Sequence, residues 1–88
     1  MIENNKIIKH DVIIKSRNRL EMTGISDVIS YDESEILVVT DEISLSIEGE
    51  SLKIEKFDSE KEDLIVNGLI NGLFYYNKDF KKKKSLFK

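Results

Sequence analysis

Between residues 43 and 57 the chain alternates apolar and polar positions with little interruption. Ile43, Leu45 and Ile47 fall at one parity and Ser44 and Ser46 at the other, and after Gly49 the alternation resumes with Leu52 and Ile54. A period of two puts successive side chains on opposite faces of an extended backbone. "ISLSI" (43–47) therefore predicts a half-buried strand with its serines on the polar face, and "SLKIEKF" (51–57) predicts another. "ILVV" (36–39) is apolar at both parities, which predicts an interior strand covered on each side and set between the turn-like "YDESE" and "TDE". "DLIV" (63–66) and "LFYY" (73–76) are β-branched or aromatic, and "DSEKED" (58–63) reads as a polar loop. "RLEMT" and "ISDVISY" are weaker strands around Gly24. Helical spacing rarely persists beyond one turn between residues 20 and 76, so no helix is expected there.

The glycines punctuate this pattern. Gly24, Gly49 and Gly68 each follow an apolar residue by two positions and precede further apolar residues, so each is expected to end one strand and start another through a turn or bulge. Asn67-Gly68 is a pair favoured in type I′ hairpin turns, but Asn71-Gly72 comes four residues later, so one of the two is expected to be a bulge. Counting these breaks predicts an all-β fold of seven or eight short, mostly antiparallel strands, rolled or stacked as a small sheet or sandwich. The expected core is Ile25, Val28, Ile36, Val38, Ile43, Leu45, Ile47, Leu52, Ile54, Leu64, Val66, Ile70 and Leu73. A short parallel β-solenoid is the alternative, although the glycine spacings of 25 and 19 residues are irregular for one.

Composition narrows the picture. The 88 residues suit one domain, and a chain of this size hides only about 60 to 65% of its unfolded surface, so the core must be compact. With no cysteine, neither a disulfide framework nor a thiolate metal site can form. The N-terminal "MIENNKIIKHDVIIK" interrupts each short apolar run with a charge, and no run of eighteen apolar residues occurs. These features lead us to expect a soluble, cytoplasmic protein.

Charge is segmented. Residues 1–20 carry five Lys/Arg against two acids, residues 21–63 carry three against fourteen, and residues 78–88 carry six against one. An acidic body with basic ends disfavours nucleic acid as a partner and favours anionic ones, including the acidic body of a second copy. Candidate chemistry is sparse. His10 is the only histidine and is expected to be a solvated side chain of the arm. The carboxylates of "DESE" and "DSEKED" lack EF-hand spacing, and Gly68 and Gly72 precede no phosphate-loop lysine, so no metal, cofactor or catalytic group is assigned. Tyr31, Tyr75 and Tyr76 are expected to pack rather than stack on bases.

The segment "KDFKKKKSLFK" (78–88) is the candidate contact surface, because Lys81, Lys82, Lys83 and Lys84 sit among Phe80, Leu86 and Phe87. Such a segment suits a protein partner or self-association, an anionic membrane surface, or a solvated tail. In the self-association case the tail of one copy is expected to meet Glu48, Glu50 and Glu55 of the next.

Taken in order, Leu20, Thr23-Gly24, Tyr31-Asp32, Thr40, "LSIEGESLKI" (45–54) and "GLINGLFY" (68–75) resemble the YabP/YqfC family of small sporulation proteins from endospore-forming bacteria. The resemblance spans residues 18–76, with an echo in the terminal "LFK". Two positions depart from the family pattern: Ile43 and Glu62 stand where glycine is common. The resemblance divides the chain into a basic arm (1–17), a YabP-like β domain (18–77) and the basic, aromatic tail (78–88). It implies a non-enzymatic sporulation protein that acts through contacts with other sporulation or coat proteins in spore coat or envelope assembly, in the sporulating cell, at the forespore surface or in the coat. The alternative is a peripheral membrane adaptor whose tail recruits an integral membrane sporulation partner.

Overall fold

A computed structural model describes residues 9–76, and these form one antiparallel sheet. Its strands are β1 (Val12–Lys15), β2 (Arg19–Met22), β3 (Asp27–Tyr31), β4 (Glu35–Val39), β5 (Ser44–Asp58) and β6 (Asp63–Tyr76), in the spatial order β1-β2-β6-β5-β4-β3. The all-β expectation holds. The antiparallel order excludes the parallel solenoid, and the strands number six because the expected breaks at Gly49, Gly68 and Gly72 lie inside β5 and β6.

β5 and β6 make a long ribbon joined at the polar loop after Asp58, and each borders a different short strand on its free side. β2 pairs with Leu64–Asn67 of β6, whereas β4 pairs with Ser44–Glu48 of β5. The sheet thus has two four-stranded halves that share the ribbon at opposite ends. Three register shifts in the ribbon, after Glu48, Glu50 and Ile54, increase its local twist and bend it between the halves. Leu20, Met22, Leu64 and Val66 from one half and Ile36, Val38, Leu45 and Ile47 from the other then form a single buried cluster, closed by Ile25 and Leu52. Ile25 lies on the segment that crosses from β2 to β3, and its N–H donates to Glu62 O (3.0 Å) while the next N–H, of Ser26, donates to Val39 O (2.8 Å).

Every residue of the expected core is buried or packed against the core; Leu20 and Met22 join it from β2, and Val12 and Phe57 pack on it. Ser44 and Ser46 depart from expectation, being 2% and 0% exposed rather than solvated. Their short side chains lie between longer cross-strand neighbours, Leu37 and Phe74 in the case of Ser46, whose hydroxyl donates to Glu35 Oε2 (3.0 Å). β1 falls within the residues expected to be an arm, so among the described residues the sheet begins at Val12.

Candidate interaction surface

The glycines explain how the ribbon bends. Gly68 has φ 125° and opposes Ser51 and Leu52, two residues against one, which makes Asn67-Gly68 a bulge and not a hairpin turn. A side chain there would come within 2.6 Å of Ser51 O. Gly49 is not in the left-handed region. It is required because a Cβ would fall 2.0 Å from the Leu69 carbonyl oxygen, so its role is close backbone approach and not positive φ. Gly24, with φ 79°, leaves room for the backbone of Lys9, whose carbonyl would otherwise lie 2.2 Å from a Cβ.

Thr23-Gly24 is accordingly where the N-terminal segment docks. Thr23 N–H donates to Asp11 O (3.0 Å), and Asp11 N–H donates to Thr23 Oγ1 (2.9 Å). His10 is not merely solvated. Its Nδ1 lies 2.8 Å from Thr23 O, and since a carbonyl only accepts, Nδ1 is the donor there, while Nε2 lies 3.1 Å from the Tyr75 hydroxyl, within hydrogen-bonding distance. The two rings meet edge to face with centroids 5.7 Å apart. The arm's last residues are thereby tied to both β2 and the end of β6.

Other polar groups hold turns. Asp32 Oδ1 accepts from Ser34 Oγ (2.8 Å), Ser34 N–H (2.7 Å) and Glu35 N–H (2.9 Å). These bonds, the Ser34 hydroxyl foremost, hold the Asp32 carboxyl below its ordinary value. Asp58 Oδ1 accepts from Glu60 N–H (3.0 Å) and Lys61 N–H (3.2 Å). Both acidic loops therefore direct a carboxylate at their own backbone, and no group of three or more metal-ligating side chains occurs among the described residues. Thr40 Oγ1 accepts from Glu42 and Ile43 N–H, shaping the β4–β5 turn. Tyr31 OH donates to Leu52 O (3.1 Å) at the ribbon's bend.

On the outer face of β2, β6 and β5, Arg19 bridges Glu21 and Glu55, both at 2.8 Å, and Asn67 Nδ2 donates to Glu55 Oε1 at 2.7 Å. The Arg19 bond lowers the Glu21 pKa; the Asn67 amide, then Arg19, lowers that of Glu55; and the Glu21 bond raises that of Arg19. Glu55, one of the three carboxylates expected to receive a neighbour's tail, is thus already compensated within its own chain. Glu48 and Glu50 are exposed. The expected contact residues Phe80, Lys81, Lys82, Lys83, Lys84, Leu86 and Phe87 lie outside the described residues.

What sequence reasoning missed is the edge strand β1. Ile13 and Ile14 are 50% and 45% exposed on opposite faces of an edge strand, and Leu69, Phe74 and Tyr75 are the exposed apolar side chains of β6. The signal was the β-branched run "VIIK", hidden in a segment read as a charged arm.

Comparison with known proteins bears on the same residues. The model of the YabP family matches residues 6–82, which includes β1 and the Thr23-Gly24 dock. A curated relative, Spore protein YabP of Bacillus subtilis (strain 168), is 34% identical over 67 residues, covering 76% of this chain and 67% of the relative. With a family match across the whole described sheet and a relative of this identity, the chain belongs to the YabP family.

Proposed function

We propose that the protein is a non-enzymatic spore protein that acts by binding other proteins during assembly of the spore coat or envelope. Membership in a family whose curated relative is named a spore protein supports the sporulation role. The observation that carries the contact mechanism is how the polar and apolar groups are distributed. His10, Asp32, Thr40, Asp58 and Arg19 are engaged in holding the sheet and its turns, while Ile13, Ile14, Leu69, Phe74 and Tyr75 are turned outward. Exposed apolar side chains beside hydrogen-bonding groups that are already satisfied within the chain are suited to association.

Deletion of the gene in its sporulating host tests the role. The expected result is normal growth with spores whose coat is incomplete by electron microscopy and sensitive to lysozyme; spores indistinguishable from the parent's overturn it. A pull-down from sporulating cells with the intact chain and with one truncated after Asn77 tests the mechanism. Recovery of coat or envelope proteins supports it. Recovery of an integral membrane protein that is lost with the truncation favours the membrane adaptor instead, since Lys81–Lys84 contribute roughly 1 kcal/mol each near an anionic lipid surface.

A further inference from the structure

The open sheet has two edges, β1 and β3, and they are built differently. β3 carries a register shift between Val28 and Ser30, a bulge that interrupts its outward row of backbone groups. β1 pairs with β2 without a shift from Val12↔Met22 to Lys15↔Arg19, so its open side is regular. Asp11 O accepts from Thr23 N–H and Lys15 O accepts from Asn18 N–H, which places the main-chain groups of the odd residues on the β2 side. In antiparallel pairing these directions alternate, so the N–H and C=O of Val12 and Ile14 face away from the sheet.

We propose that β1 pairs with β1 of a second copy across a two-fold axis centred on Ile13, joining the two sheets into one. Three independent requirements select this register. Strand pairing needs outward backbone groups opposite outward backbone groups, and centring on Ile13 sets Val12 opposite Ile14 of the second copy, and the reverse. A two-fold axis perpendicular to the sheet keeps outer faces together, so Ile13, half exposed in one chain, meets Ile13 of the second copy. The same register sets Asp11 opposite Lys15 of the second copy twice, on the outer face. Among the described residues, Asp11 has only its main-chain N–H and C=O engaged, and the Lys15 ammonium, on a side chain 60% exposed, meets only Glu21 at 3.5 Å. The sequence Asp-Val-Ile-Ile-Lys is thus self-complementary when run antiparallel: acid against base at the ends, apolar against apolar between. The inference rests on the sheet edge alone and stands apart from the role in the spore.

Charge reversal on the full chain tests the register. The parent is expected to show a concentration-dependent monomer–dimer equilibrium in sedimentation equilibrium. Asp11→Lys and Lys15→Asp each place like charges opposite one another twice, and each is expected to weaken the dimer by at least about tenfold. An equimolar mixture of the two variants makes both contacts attractive again, so it is expected to form a heterodimer that neither forms as a homodimer; the double variant D11K/K15D is expected to regain the parent's association. Circular dichroism confirms that each variant is folded. A second measurement does not depend on those swaps. Opposed residues of a non-hydrogen-bonded antiparallel pair lie about 4.5 Å apart at Cα, inside the range that a disulfide spans. In a chain without cysteine, Ile13→Cys is therefore expected to oxidise to a covalent dimer faster than the exposed control Leu69→Cys. A parent that stays monomeric, a dimer indifferent to both charge reversals, or equal crosslinking at positions 13 and 69 overturns the proposal.

Discussion

Gly49→Ala is the sharpest test of how the ribbon is built. The substitution adds one methyl group, and its ideal position is 2.0 Å from Leu69 O, 3.1 Å from Leu69 C and 2.9 Å from Leu52 Cδ2. The Leu52 side chain is buried and the other two atoms are backbone, so relief requires β5 and β6 to separate by about 1 Å at this point, the gap between 2.0 Å and the 3.0 Å limit of ordinary contacts. Neither strand is free to do so. On one side Gly49 N–H donates to Ser34 O (3.0 Å) and Leu52 N–H to Glu33 O (2.9 Å). On the other, Ile70 N–H donates to Arg17 O (2.9 Å) and Ile70 O accepts from Arg17 Nε (3.0 Å). Overpacking a site that cannot relax costs about 1 to 3 kcal/mol, and weakening one or two of these hydrogen bonds adds roughly 1 kcal/mol each. The expected loss is about 2 to 4 kcal/mol, or a fall in Tm on the order of 10 to 25 °C for a domain of this size. Urea unfolding followed by circular dichroism measures it, with Gly72→Ala as the control. There the three atoms nearest the added methyl all belong to the ring of Phe74, an exposed side chain that can swing away, so the cost should stay below about 1 kcal/mol. Gly49→Ala within about 0.5 kcal/mol of the parent, or no worse than Gly72→Ala, would refute the close-approach argument.

Four further outcomes follow from particular contacts. Glu62 has φ 61°, so Glu62→Gly should be neutral or raise stability by up to about 1 kcal/mol in the same urea assay, strain relief being offset by the freer unfolded chain; a loss beyond about 1 kcal/mol would contradict the assignment. Thr40→Val removes the acceptor for two turn amides and should cost about 1 to 2 kcal/mol, read as a lower urea midpoint at unchanged slope. Asp32, Glu21 and Glu55 are held below 3.8, 4.5 and 4.5, so their contribution is fully present above those values and is lost as pH falls through the lower folded ones; stability should decline on acidification, and Asp32→Asn should lower it at neutral pH and flatten the acid limb. Tyr75→Phe should release the His10 ring from β6, seen as a shift of its imidazole resonances, while unchanged resonances would show that the contact is not formed in solution.

Alternation determined which side chains face the core. Leu45 and Ile47 were legible from period-two spacing, because an extended backbone sends alternate residues to opposite faces whatever its partners are, and Ile36, Val38, Leu64 and Val66 from short apolar runs that only an interior strand can cover. The turn acids were legible for a similar local reason, since Asp32 and Asp58 bond to amides two or three residues ahead. The roles of the glycines were not. Whether Gly49 and Gly68 end a strand or bend one depends on the strand opposite, and only pairing β5 with β6 brings Leu69 O to Gly49 and Ser51 to Gly68. Tertiary structure also decided that Ser44 and Ser46 are buried, because a short hydroxyl side chain is covered or exposed according to the length of its cross-strand neighbours. The same holds for β1. Asp11, Ile13 and Lys15 read as a charged arm in one dimension and become an edge when Thr23-Gly24 docks the chain beside β2, since a strand acquires a free side only from the place it takes in a sheet.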